Sequence, residues 1–226
     1  MKTFLVTIGF AALSTVAFAQ GKVLLANDSL HLVYFCSDPA GLLPADAALA
    51  GQGVTSAATP GGITLLVDLY AGTSSNSLSL QATTTFRATP PGRISELNLP
   101  LIGIPGGSPV FFEVEVRDSA FPDANASLLG GSYAGFSSIF TAVPSTGILY
   151  NSLVNHGSPS FSTWADGTFD MSAQYGLTGA VGAIEVGTLE CIPEPSALTI
   201  FVLAGAASLV VWRCRAGWLG FRRRRD

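Results

Sequence analysis

Two histidines, His31 and His156, are the only imidazoles in the chain, and imidazole is the usual general base near neutral pH. His31 lies in the apolar run SLHLVYF, which predicts a strand histidine facing solvent, and His156 lies in the polar stretch NSLVNHGSPSF, which predicts a surface loop. The segment GGSYAG around Ser132 approaches the nucleophile elbow Gly-x-Ser-x-Gly, but Ala134 stands where the second glycine belongs and no strand-to-helix pattern surrounds it. Glu113 and Glu115 stand two apart in a strand pattern, which separates their side chains by about 7 Å, a spacing open to glycosidase chemistry. Simple alternation also puts two acids on a wet strand face. The acidic turns RDSAFPDAN (Asp118, Asp123, Asn125) and ADGTFD (Asp166, Asp170) could gather oxygen ligands for Ca²⁺, although solvated turn carboxylates are the commoner origin of such runs. The chain has no Cys-x-x-Cys, no His-Glu-x-x-His and no EF-hand loop, so no metal or other cofactor is expected. Tyr70, Tyr133, Tyr150, Trp164 and Tyr175 could stack on sugar rings, but no three share an evident face; Trp164 is the best single candidate, although a core tryptophan of the sandwich is its commoner role. Asn27 and Asn125 head Asn-x-Ser triplets, which matter only in a eukaryotic secretory path. These residues assemble no reaction, and the chain is read as a non-enzyme.

The elements that would carry these side chains read as short strands. Helical periodicity is nearly absent between residues 20 and 192, and β-branched and aromatic runs recur there instead. The runs are KVLLAN, LHLVYFC, ITLLVDLYAG, ATTTFRAT, PVFFEVEVRDS, FSSIFTAV and GAVGAIEVGTLEC. PVFFEVEVRDS alternates most cleanly: Phe112, Val114 and Val116 face a core, while Phe111, Glu113, Glu115 and Arg117 face water. Pro60-Gly61-Gly62, Pro90-Pro91-Gly92, Pro105-Gly106-Gly107 and Asp166-Gly167 punctuate the strands, since proline lacks a donor and glycine accepts positive φ. The connection from 38 to 62 is rich in alanine and glycine, with a short helix expected over PADAALAG. This pattern predicts an all-β domain over 20–192, an antiparallel β-sandwich of jelly-roll type.

Both ends read differently from this body. Residues 1–19 hold Lys2, the apolar run FLVTIGFAAL and small residues at Ala17 and Ala19, the marks of a signal peptide cleaved after Ala19. Signal peptidase and the Sec export machinery are therefore expected partners. Residues 197–212, ALTIFVLAGAASLVVW, are sixteen positions without a charge, about 24 Å of helix and just enough to span a bilayer. Arg213 and Arg215 follow at once, and Arg222, Arg223, Arg224 and Arg225 nearly end the chain. The positive-inside rule keeps that end in the cytoplasm and puts the body outside. The body is acidic, with Lys22, Arg87, Arg93 and Arg117 against thirteen acids, or about −9, in a chain of net charge −4. Such a body offers nucleic acid no electrostatic footprint. Three cysteines leave one over: Cys36 and Cys191 bracket the body and can pair in an oxidising compartment, while Cys214 lies beyond the apolar run. Two unpaired buried thiols fit the sequence as well.

The last 34 residues, 193–226, carry a more specific pattern. Pro193-Glu194-Pro195, a small serine, the apolar run and the arginine cluster together resemble the PEP-CTERM sorting signal of exported proteins in Gram-negative bacteria. The resemblance implies that Pro193, Glu194 and Pro195 are read by a membrane-embedded exosortase. It makes the 197–212 helix a transient anchor, and Arg213, Arg215 and Arg222 to Arg225 a cytoplasmic retention tail. The spacer AGWLGF between the two arginine groups makes this tail longer than the usual compact form. The resemblance further implies passage through the inner membrane as a sorting intermediate, then a structural or adhesive place at the cell surface or in an exopolysaccharide matrix. Two alternatives stay open: a surface carbohydrate-binding module or glycan hydrolase, and a permanently anchored single-pass envelope protein.

Overall fold

The fold is that of a computed structural model, which describes residues 20–59, 61–154 and 164–191. These residues are mostly β-sheet. In chain order the strands are β1 (Gln20–Leu25), β2 (Leu32–Phe35), β3 (Leu65–Gly72), β4 (Ser79–Thr84), β5 (Leu97–Pro105) and β6 (Val110–Asp118). Helix α1 (Ala124–Leu129) precedes β7 (Ala134–Phe136), β8 (Phe140–Ala142), β9 (Asn151–Ser152) and β10 (Phe169–Asp170). The single turn α2 (Ser172–Tyr175) leads to β11 (Val181–Val186). The helix expected over PADAALAG is a 3₁₀ segment, Pro44–Leu49, opened by its proline.

Three sheets form, with strand orders β5-β1-β9, β10-β11-β2 and β4-β3-β6-β7, and β8 also pairs with β6. The long β3–β6 ladder runs from Leu65 opposite Asp118 to Gly72 opposite Phe111. Phe112, Val114 and Val116 are fully buried on its inner face, where each apolar side chain contributes about 1.5–3 kcal/mol. Val23, Val33, Val67, Leu101, Phe140 and Ile184 join them, so all three sheets feed one core. Backbone hydrogen bonds also tie the sheets together. Ala134 and Gly187 exchange two of 2.9 Å, linking β7 to the end of β11, and Lys22 and Ser145 exchange another pair.

Two strand pairs depart from the expected antiparallel pattern: β1 with β9, and β2 with β11, run parallel. Each pair joins distant parts of the chain, so no tight hairpin dictates its direction. β5 was hidden from the alternation pattern by Pro100. The strand tolerates that proline because it lies at a sheet edge, paired with β1 alone. Among the described residues no helix is long and apolar enough to cross a membrane; the span expected at 197–212 lies outside those residues, as do the signal peptide with Ala17 and Ala19, and Cys214.

Candidate functional site

The parallel direction of β2 and β11 brings together the residues that follow each strand. Cys36 donates its N–H to Val186 O at 2.8 Å, and a turn from Thr188 returns the chain so that Cys191 N–H meets Thr188 O at 3.0 Å. Cys36 and Cys191 are joined as a disulfide with their Cα atoms 6.0 Å apart. Two glycines permit this approach: a Cβ on Gly41 would lie 2.5 Å from the Cys36 sulfur, and one on Gly187 would lie 2.3 Å from Cys191 Cβ. Gly41 O also accepts the Thr188 N–H, closing the knot. Glu185 accepts the Ser37 N–H at 3.1 Å, and its carboxylate lies within 4.8 Å of both sulfurs. Sulfurs bonded to each other carry no thiolate charge, so in this state the three do not form a metal centre.

Beside the junction opens a cavity of about 400 Å³ lined by Tyr34, Phe136, Trp164, Asp166, Glu185 and Cys191. His31 packs against one of its walls. The sequence pattern turned this ring to solvent, yet it is fully buried, stacked 5.7 Å from the Trp164 ring. Its Nδ1 lies 2.6 Å from Asp28 Oδ1, and its Nε2 lies 3.1 Å from Trp164 O and 3.2 Å from Asp166 Oδ1. With both nitrogens on acceptors, the imidazole clamps 164–166 against the start of β2 and presents no free face to a substrate. Asn27 is buried beside it, donating to His31 O and Gly92 O and accepting from Ile94 N–H. A side chain so engaged cannot carry a glycan in the folded protein.

The outer face of β3 and β6 holds the second cluster. Asp68 is fully buried; it accepts Arg117 Nε–H at 2.6 Å and the Thr83 hydroxyl at 2.5 Å. Arg117 also donates to Phe121 O at 2.6 Å. Glu115 stands opposite Asp68 in the ladder. Alternation placed Glu115 in water, but it is only 8% exposed, because α1 and the turn before it pack over this part of β6. Glu115 Oε2 is buried without a hydrogen-bond partner, and the nearby Ala124 N–H acts to lower the carboxyl pKa. Burial first, then the neighbouring Glu113, with Asp68 and Asp123 adding to it, pushes the Glu115 carboxyl up to about 7. Burial also raises Glu113. Tyr70 rises to about 12 through burial and the charges of Glu115, Asp68 and Asp123. Glu113 beside Glu115 is half-buried, and the cavity that Glu185 lines lies elsewhere, along β11.

The remaining sequence candidates separate in space. The Ser132 hydroxyl donates to Asp118 Oδ2 at 2.7 Å. Asp118 Oδ1 accepts Ala120 N–H, and Asp123 caps α1 through Ala126 N–H at 2.7 Å, so both carboxylates serve the local backbone beside the exposed Asn125. Asp166 lies on His31, whereas Asp170 accepts Ser172 N–H. Tyr133 is buried with its hydroxyl on Asp46 at 2.7 Å, Tyr150 lies under Lys22, and the buried Tyr175 hydroxyl has no partner; with Trp164 in the core they form no stacking platform. The Asp68–Arg117 and Asp46–Tyr133 pairs were invisible in the sequence, since each joins elements whose register only the fold supplies. His156 and the residues expected to direct sorting, Pro193, Glu194, Pro195, Arg213, Arg215 and Arg222 to Arg225, lie outside the described residues. Comparison with protein-family models, with curated proteins and with solved structures finds no match to this chain.

Proposed function

We propose that this chain is an exported cell-surface or extracellular-matrix protein, delivered by an exosortase that reads Pro193, Glu194 and Pro195. Its body is a β-sandwich with a structural or adhesive role, in contact with exopolysaccharide, and it is a substrate of sorting rather than an enzyme. The observation that carries this reading is the order of the closing segment: Pro-Glu-Pro, a serine, sixteen further uncharged residues, then arginines. The Cys36–Cys191 bond supports it, because structural disulfides belong to oxidising compartments outside the cytoplasm. The position of that bond supports it too. Cys191, held by that bond, stands two positions before Pro193 in the sequence, and two prolines favour an extended backbone of the kind a protease or transpeptidase cleft accepts.

The reading is tested by following full-length chain in a host that encodes an exosortase. Glu194→Ala, or deletion of Arg222 to Arg225, is expected to hold the precursor in the inner membrane and lower the surface fraction at least about tenfold. Unchanged surface delivery in both variants would reject sorting and leave a permanent anchor.

A further inference from the structure

Among the described residues, Cys36, Glu185 and Cys191 bring three ligand atoms within 4.8 Å of one another. Two thiolates and a carboxylate are a donor set for a borderline-soft divalent cation of the zinc type. In the oxidised body the sulfurs are bonded to each other. A disulfide forms only from two thiols, however, so every copy of this junction is a dithiol before it is oxidised.

Backbone contacts hold the junction without help from sulfur. The parallel ladder sets Glu185 opposite Tyr34 and Val186 opposite Phe35, and the Cys36 N–H continues it to Val186 O at 2.8 Å. On the other side the Thr188 N–H donates to Gly41 O at 2.9 Å, and the Cys191 N–H donates to Thr188 O at 3.0 Å. Cα atoms 6.0 Å apart suit a shared cation as well as a disulfide. With metal–sulfur bonds of about 2.3 Å, tetrahedral coordination needs the sulfurs only about 3.8 Å apart. Gly41 and Gly187 leave room there, since a Cβ on either would press on the Cys36 sulfur or on Cys191. Glu185 is oriented from behind: one carboxylate oxygen takes the Ser37 N–H at 3.1 Å, the kind of outer hydrogen bond that fixes a metal ligand, and a second oxygen is left for a cation. The cavity of about 400 Å³ is lined by both Glu185 and Cys191, so water or a small ligand has room to complete the shell.

We propose that the reduced junction is a zinc site, with Cys36, Cys191 and Glu185 as its ligands and a fourth position open to the cavity. Binding releases protons and moves no electrons: each thiol gives its proton to solvent, and the two thiolates and the carboxylate meet the charge of the cation. A thiolate beside Glu185 is repelled by it, whereas a divalent cation between them reverses the sign of that interaction. Oxidation is the competing step. There the two sulfurs join, and two electrons and two protons pass to a disulfide-bearing oxidant, which only a free thiolate attacks. The junction therefore holds a cation or a disulfide, and the cation delays the bond.

Cobalt(II) serves as the spectroscopic probe, on full-length chain in detergent carrying Cys214→Ser so that the third cysteine adds no thiolate. After reduction with a phosphine and its removal under inert gas, one Co²⁺ per chain should bind, with thiolate-to-metal charge-transfer bands and the strong visible bands of tetrahedral coordination. Zn²⁺ should displace it, and the oxidised chain should show neither set of bands. Glu185→Gln should weaken Zn²⁺ binding at least about tenfold. A second reading needs no change at the ligands. With Zn²⁺ about ten times above its dissociation constant, mass action leaves about a tenth of the chain free, so closure of the bond by oxidised glutathione should slow about tenfold and recover when a chelator is added. A reduced chain without thiolate–cobalt bands, an affinity unchanged in Glu185→Gln, or an oxidation rate indifferent to Zn²⁺ would each overturn the proposal.

Discussion

Reduction of the Cys36–Cys191 bond, or Cys36→Ser, lowers the stability of the folded body by about 2–5 kcal/mol. The bond spans 155 positions of sequence, nearly the whole described body, so cutting it frees a very long loop in the unfolded chain. The native side adds to this. β2 and β11 come from opposite ends of the body and pair in parallel without a connecting hairpin, so the bond is the covalent link that holds their ends together. Urea unfolding with and without a dithiol reductant checks the effect. The wild type should drop to the level of Cys36→Ser when reduced, and the variant should not respond. A wild-type transition indifferent to reductant would mean that the bond does not constrain the unfolded chain.

Arg117→Met is expected to cost about 3–5 kcal/mol, because it leaves the Asp68 carboxylate buried without its cation. The Thr83 hydroxyl still donates to Asp68, but one neutral donor does not replace a charge-assisted bond to guanidinium. The loss also removes the tie to Phe121 O and so the inner anchor of the turn before α1. The double variant Asp68→Asn with Arg117→Met should recover much of the loss, since it removes the stranded charge with its partner. A double-mutant cycle by urea unfolding measures this, and a single-variant cost below about 1 kcal/mol would class the pair with weak surface bridges.

The contrast between these pairs and the alternating pattern shows what the sequence can convey. Phe112, Val114 and Val116 were legible as core because period-two alternation is local, and the structure buries all three. Glu115 and Asp68 obey the same alternation, yet both are buried. The outer face of their sheet is covered by a strap that approaches from later in the chain, and alternation says nothing about a second layer. His31 failed for a related reason, since Trp164 and Asp166, which enclose it, lie more than a hundred residues away. β5 was masked by Pro100, a residue that an edge strand accepts. The residues proposed for sorting lie outside the described residues, so the fold bears on them in neither direction.

Peptide mapping by mass spectrometry of the mature chain from cell-surface material tests the central claim most directly. The account predicts an N-terminus at Gln20, a C-terminus within or beside Pro193, Glu194 and Pro195, and no peptide from 197–226. Surface material that retains the intact segment through Arg225 and Asp226 would contradict it.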